Sequence, residues 1–177
     1  VLDYEPAAAR LTTHSADAVL ARATEQGLDI VWVLDTHAHA DHLSGGDYIR
    51  RQTGARYGIG AHIRDVQQVF KPLFNGSDIR VDGHAFDRLF GDGDRFDIGE
   101  LAVRVLHTPG HTPACITYLI EDAAFVGDTL FMPDYGTARA DFPGGDAATL
   151  YWSIRALLSL PDTTRIFVGH DYLPEGR

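Results

Sequence analysis

The stretch His37-Ala38-His39-Ala40-Asp41-His42 sets three imidazoles and a carboxylate on one tight loop, directly after the apolar run Ile30-Val31-Trp32-Val33-Leu34. Imidazole suits Zn, Fe, Cu and Ni, and a carboxylate beside it suits a divalent ion that must polarise an oxygen ligand. Residues two apart on an extended segment share a side, so His37 and His39 are expected to enter one coordination sphere. Asp41 falls on that side too, and His42 faces elsewhere unless the loop bends. The plain alternative is a polar surface loop that happens to be rich in histidine.

The rest of the chain argues for metal. Three more places repeat one pattern, an apolar strand followed by a residue able to hold a metal. Leu101 to Leu106 leads to His107 and the turn Thr108-Pro109-Gly110-His111-Thr112; Ala123 to Val126 leads to Gly127-Asp128-Thr129; Ile166 to Val168 leads to Gly169-His170-Asp171. In open α/β sheets ligands bind beyond the strand ends, where loops converge. A glycine just before each of His111, Asp128 and His170 permits a close approach or a positive φ there. Other residues read more plainly. His14, His62, His84 and His107 are expected to be hydrogen-bonded core histidines. Gly127-Asp128-Thr129 by itself could be an Asx turn, Cys115 a small buried hydrophobe, and Arg139 with Asp141 a surface ion pair.

The elements that must position these groups alternate between strand-like runs and amphipathic stretches, which reads as α/β. A first helix is expected over Ser15 to Gln26, with Ser15 as cap and Gly27 as stop. Further helices are expected at Gly46 to Gln52, Ile63 to Phe70 and Ala147 to Leu158, the last with Leu150, Ile154, Leu157 and Leu158 at core spacing. Strands are expected at Ile30 to Leu34, Arg56 to Gly60, Phe86 to Phe90, Asp94 to Ile98, Leu101 to His107, Ala114 to Ile120, Ala123 to Val126 and Arg165 to Val168. The length, 177 residues, suits a single domain over 1–177. A formal net charge of -10 argues against nucleic acid as a partner, because phosphate binding needs clustered Lys and Arg. No apolar run is long enough for a membrane span. The single cysteine and the lack of a secretory signal lead us to expect a cytoplasmic protein.

With these residues in place, the chain from Asp35 to Tyr172 resembles the metallo-β-lactamase superfamily, whose loop reads His-x-His-x-Asp-His with later His, Asp and His ligands. The resemblance implies an αββα sandwich with the metal at one edge between two sheets. Relatives begin with two or three strands before the segment matching Val1 to Tyr4 and continue past Gly169-His170-Asp171, so the domain is expected to be incomplete at both ends. True β-lactamases of the superfamily place a Cys where this chain has Asp128, and its RNA-cleaving enzymes carry a large inserted domain absent here.

The segment Thr108-Pro109-Gly110-His111-Thr112-Pro113-Ala114-Cys115, with Val126-Gly127-Asp128-Thr129-Leu130-Phe131, is similar to persulfide dioxygenases. Phe131 to Phe142 resembles their bacterial branch, often labelled β-lactamase-like hydrolase. That resemblance implies one Fe(II) per chain held by His37, His111 and Asp128, the two-His-one-carboxylate set that leaves positions open. His39, Asp41, His42 and His170 would then orient the ligands from behind or mark a second metal site. The implied reaction oxidises a thiol persulfide, such as glutathione persulfide, with O2 to sulfite, a step of sulfide detoxification. Arg139 would hold a carboxylate of the carrier thiol, Tyr135 would line the entrance, and Cys115 would accept or relay sulfur. The alternative is a thioester hydrolase resembling glyoxalase II, with two Zn or Fe ions, or a mixed pair, and Asp128 bridging. A homodimer is common among relatives.

Overall fold

The computed structural model describes residues 1–39 and 41–172. It is a mixed α/β chain with four helices, and its contacts divide it into two compact units that alternate along the sequence. The first comprises Val1–Asp35, His39–Gly58 and Ala85–Arg88; the second comprises Thr36–Ala38, Ile59–His84 and Leu89 onward.

In the first unit β1 (Asp3–Glu5) and β2 (Arg10–Thr12) pair antiparallel, joined by a 3-10 turn at Pro6–Ala8 that Ala9 closes at φ 45°. This hairpin lies outside the strands expected from sequence. Its strands are three residues long and largely exposed, so no buried alternation marks them. Helix α1 (His14–Glu25) starts one residue early, and Ser15 is not its cap. Instead the Asp3 carboxylate of β1 accepts from Ser15 N–H at 3.0 Å and Ser15 Oγ at 2.6 Å. A carboxylate from another element thus satisfies a first-turn donor and sits favourably against the helix dipole. The helix ends as expected: Gly27 N–H donates to Thr24 O and Leu28 N–H to Ala23 O, the paired bonds of a Schellman motif. Strand β3 (Trp32–Leu34) lies parallel to β4 (Arg56–Gly60), with Val33 opposite Tyr57, and α2 (Gly46–Thr53) makes the crossover. β3 is two residues shorter than its apolar run. β5 (Arg88–Phe90) completes the three-stranded order β3-β4-β5, and both β4 and β5 run on into the second unit.

The second unit contains α3 (Ile63–Leu73), which buries Ile63 and Val66 and extends past the expected end at Phe70. Pro72 falls in its final turn and, lacking an N–H, supplies no donor to the carbonyl four residues back, close to where the helix stops. Five strands follow: β6 (Arg95–Ile98), β7 (Leu101–His107), β8 (Ile116–Ile120), β9 (Ala123–Gly127) and β10 (Arg165–Val168). Their order is β10-β9-β8-β7-β6, with every pair antiparallel except β10 on β9. Helix α4 (Ala147–Leu157), capped by Asp146 through Thr149 N–H at 2.7 Å, connects β9 to β10. Its Leu157 packs with Ala124 and Val126 of β9, and Leu119, Leu130, Leu160 and Val168 close round them. Phe90, Phe96 and Tyr118 form a second apolar group in the same unit, with ring centroids 4.6 to 6.3 Å apart.

Candidate metal centre

Strand direction explains why distant residues meet in the second unit. β7 and β9 are both antiparallel to β8, and β10 is parallel to β9, so all three run the same way. Their carboxyl ends open on one edge of the sheet, and the residues that follow them are His111, Asp128 and His170. β8 begins at that edge, since Ile116 stands opposite His107. Ile116 N–H donates to Thr36 O at 3.0 Å, which brings His37 to the same place. The glycines expected to free the backbone divide in two: Gly110 and Gly127 have positive φ, whereas Gly169 does not and instead lies tight against Asp128.

His37, His111 and Asp128 are all buried, and their ligand atoms lie within 4.8 Å of one another. Nε2 of His37 is 3.5 Å from Asp128 Oδ2, Nε2 of His111 is 4.0 Å and Nε2 of His170 is 3.5 Å. These separations exceed good hydrogen bonds; the two at 3.5 Å come close to the spacing of neighbouring ligands on one ion, and the 4.0 Å of His111 is wider. Ligands about 2.1 Å from a metal stand roughly 3.0 to 3.4 Å apart in octahedral or tetrahedral sites. Asp128 Oδ1 is buried and takes no hydrogen bond from the described residues, which a structural carboxylate could not sustain cheaply. Burial alone would raise the Asp128 pKa, yet the close approach of His37 and the positive charge that His37, His170 and His111 bring when protonated hold it below the ordinary value.

Each inner imidazole is oriented from its far side. His111 Nδ1 donates to Arg139 O at 2.8 Å, which leaves Nε2 as the lone-pair nitrogen facing Asp128. His37 Nδ1 is 3.0 Å from Thr36 Oγ1, the matching arrangement. Phe142 sets its ring edge-on to His111, with centroids 5.4 Å apart. The donor set therefore fits a divalent metal at His37, His111 and Asp128.

The loop histidines divide differently from the expected alternation. His37 groups with His111 and Asp128, whereas His39 groups with Asp41 and His42 in the first unit. The chain bends at Thr36 and His37 instead of staying extended, so two-residue periodicity fails there. The same bending stacks the His39 and His42 rings, with centroids 4.2 Å apart, and sets Asp41 Oδ1 4.0 Å from His42 Nε2.

Around His170 stand rings that sequence reasoning named only in part. Tyr172 stacks on it at 5.3 Å, Tyr135 lies 4.7 Å from Tyr172, and Phe131 meets both tyrosines edge-on. Arg139 forms a two-pronged pair with Asp141 (2.5 and 2.8 Å) and lies over Phe142, with its side chain 62% exposed. Thr36 and the Arg139 carbonyl escaped the sequence reading. The hydroxyl directly before the first histidine was a signal for Thr36, but no residue type advertises a carbonyl. His62, His84 and His107 are hydrogen-bonded, to Asp65, Asp82 and Pro113 O, but they are not core residues: His62 and His84 are exposed and His107 is half-buried.

Cys115 is 2% exposed, with Sγ 3.1 Å from Thr112 Oγ1, which is the buried alternative. Burial pushes its thiol up to about 11. A thiol raised above its unfolded value of 9.0 favours folding below that pH, and the advantage fades as pH climbs toward 11. In the folded protein at pH 8 a disulfide reagent should therefore modify Cys115 at least about a hundredfold more slowly than after denaturation. Equal rates measured by thiolate release would contradict this placement.

The fold and this cluster define the class: an α/β domain built round a candidate metal centre at the ends of its strands. The chain belongs to the metallo-β-lactamase superfamily, whose profile matches residues 4–170. It is 53% identical to a probable metallo-hydrolase of Burkholderia pseudomallei and 49% identical to glyoxylase B2 of Dictyostelium discoideum, each over 100% of this chain. It is 33% identical, over 92% of its length, to the mitochondrial persulfide dioxygenase ETHE1 of Bos taurus. The chain spans 64%, 62% and 56% of these relatives' own lengths. Among solved structures it is similar to ETHE1 from Myxococcus xanthus, with TM-score 0.75 and 32% identity over 99% of this chain and 71% of that one. Among the described residues no helix is long and apolar enough to cross a membrane.

Proposed function

We propose that this chain is the metal-binding part of a persulfide dioxygenase, with Fe(II) held by His37, His111 and Asp128. The observation that carries this reading is the buried set of two imidazoles and one carboxylate, the donor combination of non-haem iron oxygenases. The similarity to two proteins named ETHE1, one of them called a persulfide dioxygenase, supports it. The net reaction is RSSH + O2 + H2O → RSH + H2SO3, in which the outer sulfur loses electrons to O2. Bound iron would supply the redox chemistry and the place where sulfur and O2 meet.

The chain's own residues supply the rest. Thr36 Oγ1 and Arg139 O fix the two ligand imidazoles, so that Nε2 of each faces Asp128. Phe131, Tyr135 and Tyr172 give an aromatic wall beside His170, with Phe131 buried and the two tyrosines open to solvent where a substrate can meet them. Arg139 binds a carboxylate of the carrier thiol by releasing Asp141, an exchange its exposed planar fork permits. His170, 3.5 Å from Asp128, acts on ligand orientation, and the His39, Asp41 and His42 group holds no second ion.

The competing reading is hydrolysis of a glutathione thioester with two metals, favoured by the retention of all those groups and by relatives named as hydrolase or glyoxylase. Protein purified without oxygen is expected to hold about one iron per chain and to consume O2 only when glutathione persulfide is added. Two metals per chain with thioester hydrolysis and no O2 uptake would replace the dioxygenase by the hydrolase.

A further inference from the structure

Between β3 and α2 the described residues of the loop that carries His37, His39, Asp41 and His42 form no helix or named strand. They make only an isolated bridge, in which Leu2 N–H donates to Leu43 O at 3.0 Å, and side chains at the two ends of the loop hold it as well. Asp35 stands at its entry and Ser44 at its exit. Ser44 Oγ donates to Asp35 Oδ1 at 3.1 Å, and Tyr57 OH donates to Asp35 Oδ2 at 2.5 Å. Gly46 N–H, at the start of α2, donates to Ser44 Oγ at 3.1 Å. Each hydroxyl has one hydrogen, and both go to Asp35, so the 3.1 Å contact of Ser44 Oγ with Tyr57 OH is two satisfied oxygens packed together. All of these groups belong to the first unit.

The anchor is rigid. Tyr57 is in the middle of the β3–β4 ladder, opposite Val33, and is 6% exposed. Its N–H donates to Asp87 Oδ2 at 2.8 Å, its carbonyl accepts from Asp87 N–H at 2.8 Å, and its ring lies 4.8 Å from Phe86. Burial, then the Asp35 carboxylate, raise its pKa well above the ordinary value, so the phenol keeps its proton and remains a donor. Position 46 must be glycine for this contact, since any Cβ there would overlap the Tyr57 ring.

We infer that Tyr57, through Asp35 and Ser44, is a positioning residue that clamps the two ends of the metal-ligand loop. The inference rests on the reading that His37 of this loop holds metal. A loop pinned at one end only explores more conformations, and ligands displaced by fractions of an ångström bind an ion less well. A network that merely joined α2 to the sheet would change stability and leave the ligands of folded protein where they are.

The test is cobalt(II) titration of the purified chain and its Tyr57→Phe, Ser44→Ala, Ser44→Thr and double Tyr57→Phe/Ser44→Ala variants, at a temperature where circular dichroism shows each folded. Tyr48→Phe serves as control, since it removes a hydrogen bond from α2 to Asp17, well away from the loop. Tyr57→Phe and Ser44→Ala are each expected to raise the cobalt Kd about ten- to hundredfold. The double variant is expected to be little worse than either single one, as for groups acting as a unit. Ser44→Thr, which keeps the hydroxyl, and Tyr48→Phe should stay within about twofold of the parent. A cobalt Kd within twofold of the parent in folded Tyr57→Phe and Ser44→Ala would overturn the clamp. Should Tyr57→Phe fail to fold, the milder Ser44→Ala alone decides. No persulfide enters the assay, so a parent that binds cobalt but never consumes O2 would sink the dioxygenase and leave the clamp standing.

Discussion

Replacing Asp128 by Asn is expected to weaken metal binding by about a hundred- to a thousandfold, beyond the ten- to hundredfold typical when a partner behind a ligand is lost. Turnover should fall with it. The substitution keeps the shape and removes the charge, and the charge is the point of the site. Among the described residues Asp128 is the only carboxylate grouped with His37 and His111, and its Oδ2 faces the Nε2 of His37, His111 and His170. The buried Oδ1 has no other partner among the described residues to share its role. Asn would present one oxygen or one NH2, and the amide NH2 would point a donor at a cation. Elemental analysis and metal titration of the purified variant check the binding. Urea unfolding without metal checks the charge. The lowered pKa of Asp128 means its ionisation stabilises the folded state above pH 3.8, and this is lost as pH falls through the folded value. The Asn variant should lack that acid-side loss. Retention of parent-like metal affinity would show that the ion sits elsewhere.

The sequence carried most of this site because it lies at the ends of strands, and strands announce themselves. β7 and β10 have the bounds expected from their apolar runs, and β9 differs by one residue, so the candidate ligands beyond them were named before their meeting was visible. What brings them together is strand direction, with β7, β9 and β10 parallel in sense across an antiparallel sheet. The division of His37 from His39 was not legible. Periodicity assumes an extended chain, and the bend at Thr36 and His37 breaks it. Nor was the hold on His111 legible, because it comes from the Arg139 main chain, and every residue carries a carbonyl. The Arg139 side chain drew attention for its chemistry, yet its contact with the ligand is made by its backbone. Asp3 capping α1 across 12 residues and Tyr57 reaching Asp35 across 22 escaped for a related reason: both are long-range, and both use residue types common in quite different roles.

Gly110→Ala is expected to cost about 3 to 5 kcal/mol, the sum of strain at a disallowed backbone conformation and of overpacking. Gly110 has φ 130°, which an L side chain rarely adopts. A Cβ there would also overlap the Cα and N of Leu150, far inside the 3.0 Å that real contacts essentially never cross. Those are backbone atoms of α4, so no rotamer change relieves the clash. The turn has little freedom to move away. Ser153 Oγ donates to Pro109 O at 2.6 Å, and Asp146 N–H donates to Gly110 O at 2.9 Å. Leu150 is itself a buried residue of α4, at 4% exposure. Against a typical total of about 5 to 15 kcal/mol, such a loss consumes roughly a fifth or more of the stability. Urea titration of the metal-free chain measures it as a fall in midpoint at unchanged slope. Because His111 is the next residue, whatever folded Gly110→Ala remains should also bind metal more weakly. Gly93→Ala, at φ 77° but with open space round its Cβ, separates the two terms. It should lose only the conformational part, about 1 to 2 kcal/mol, and keep its metal affinity. Equal losses in both variants would show that the packing of the Pro109-Gly110 turn against α4 contributes nothing, and would remove this helix from the account of how His111 is placed.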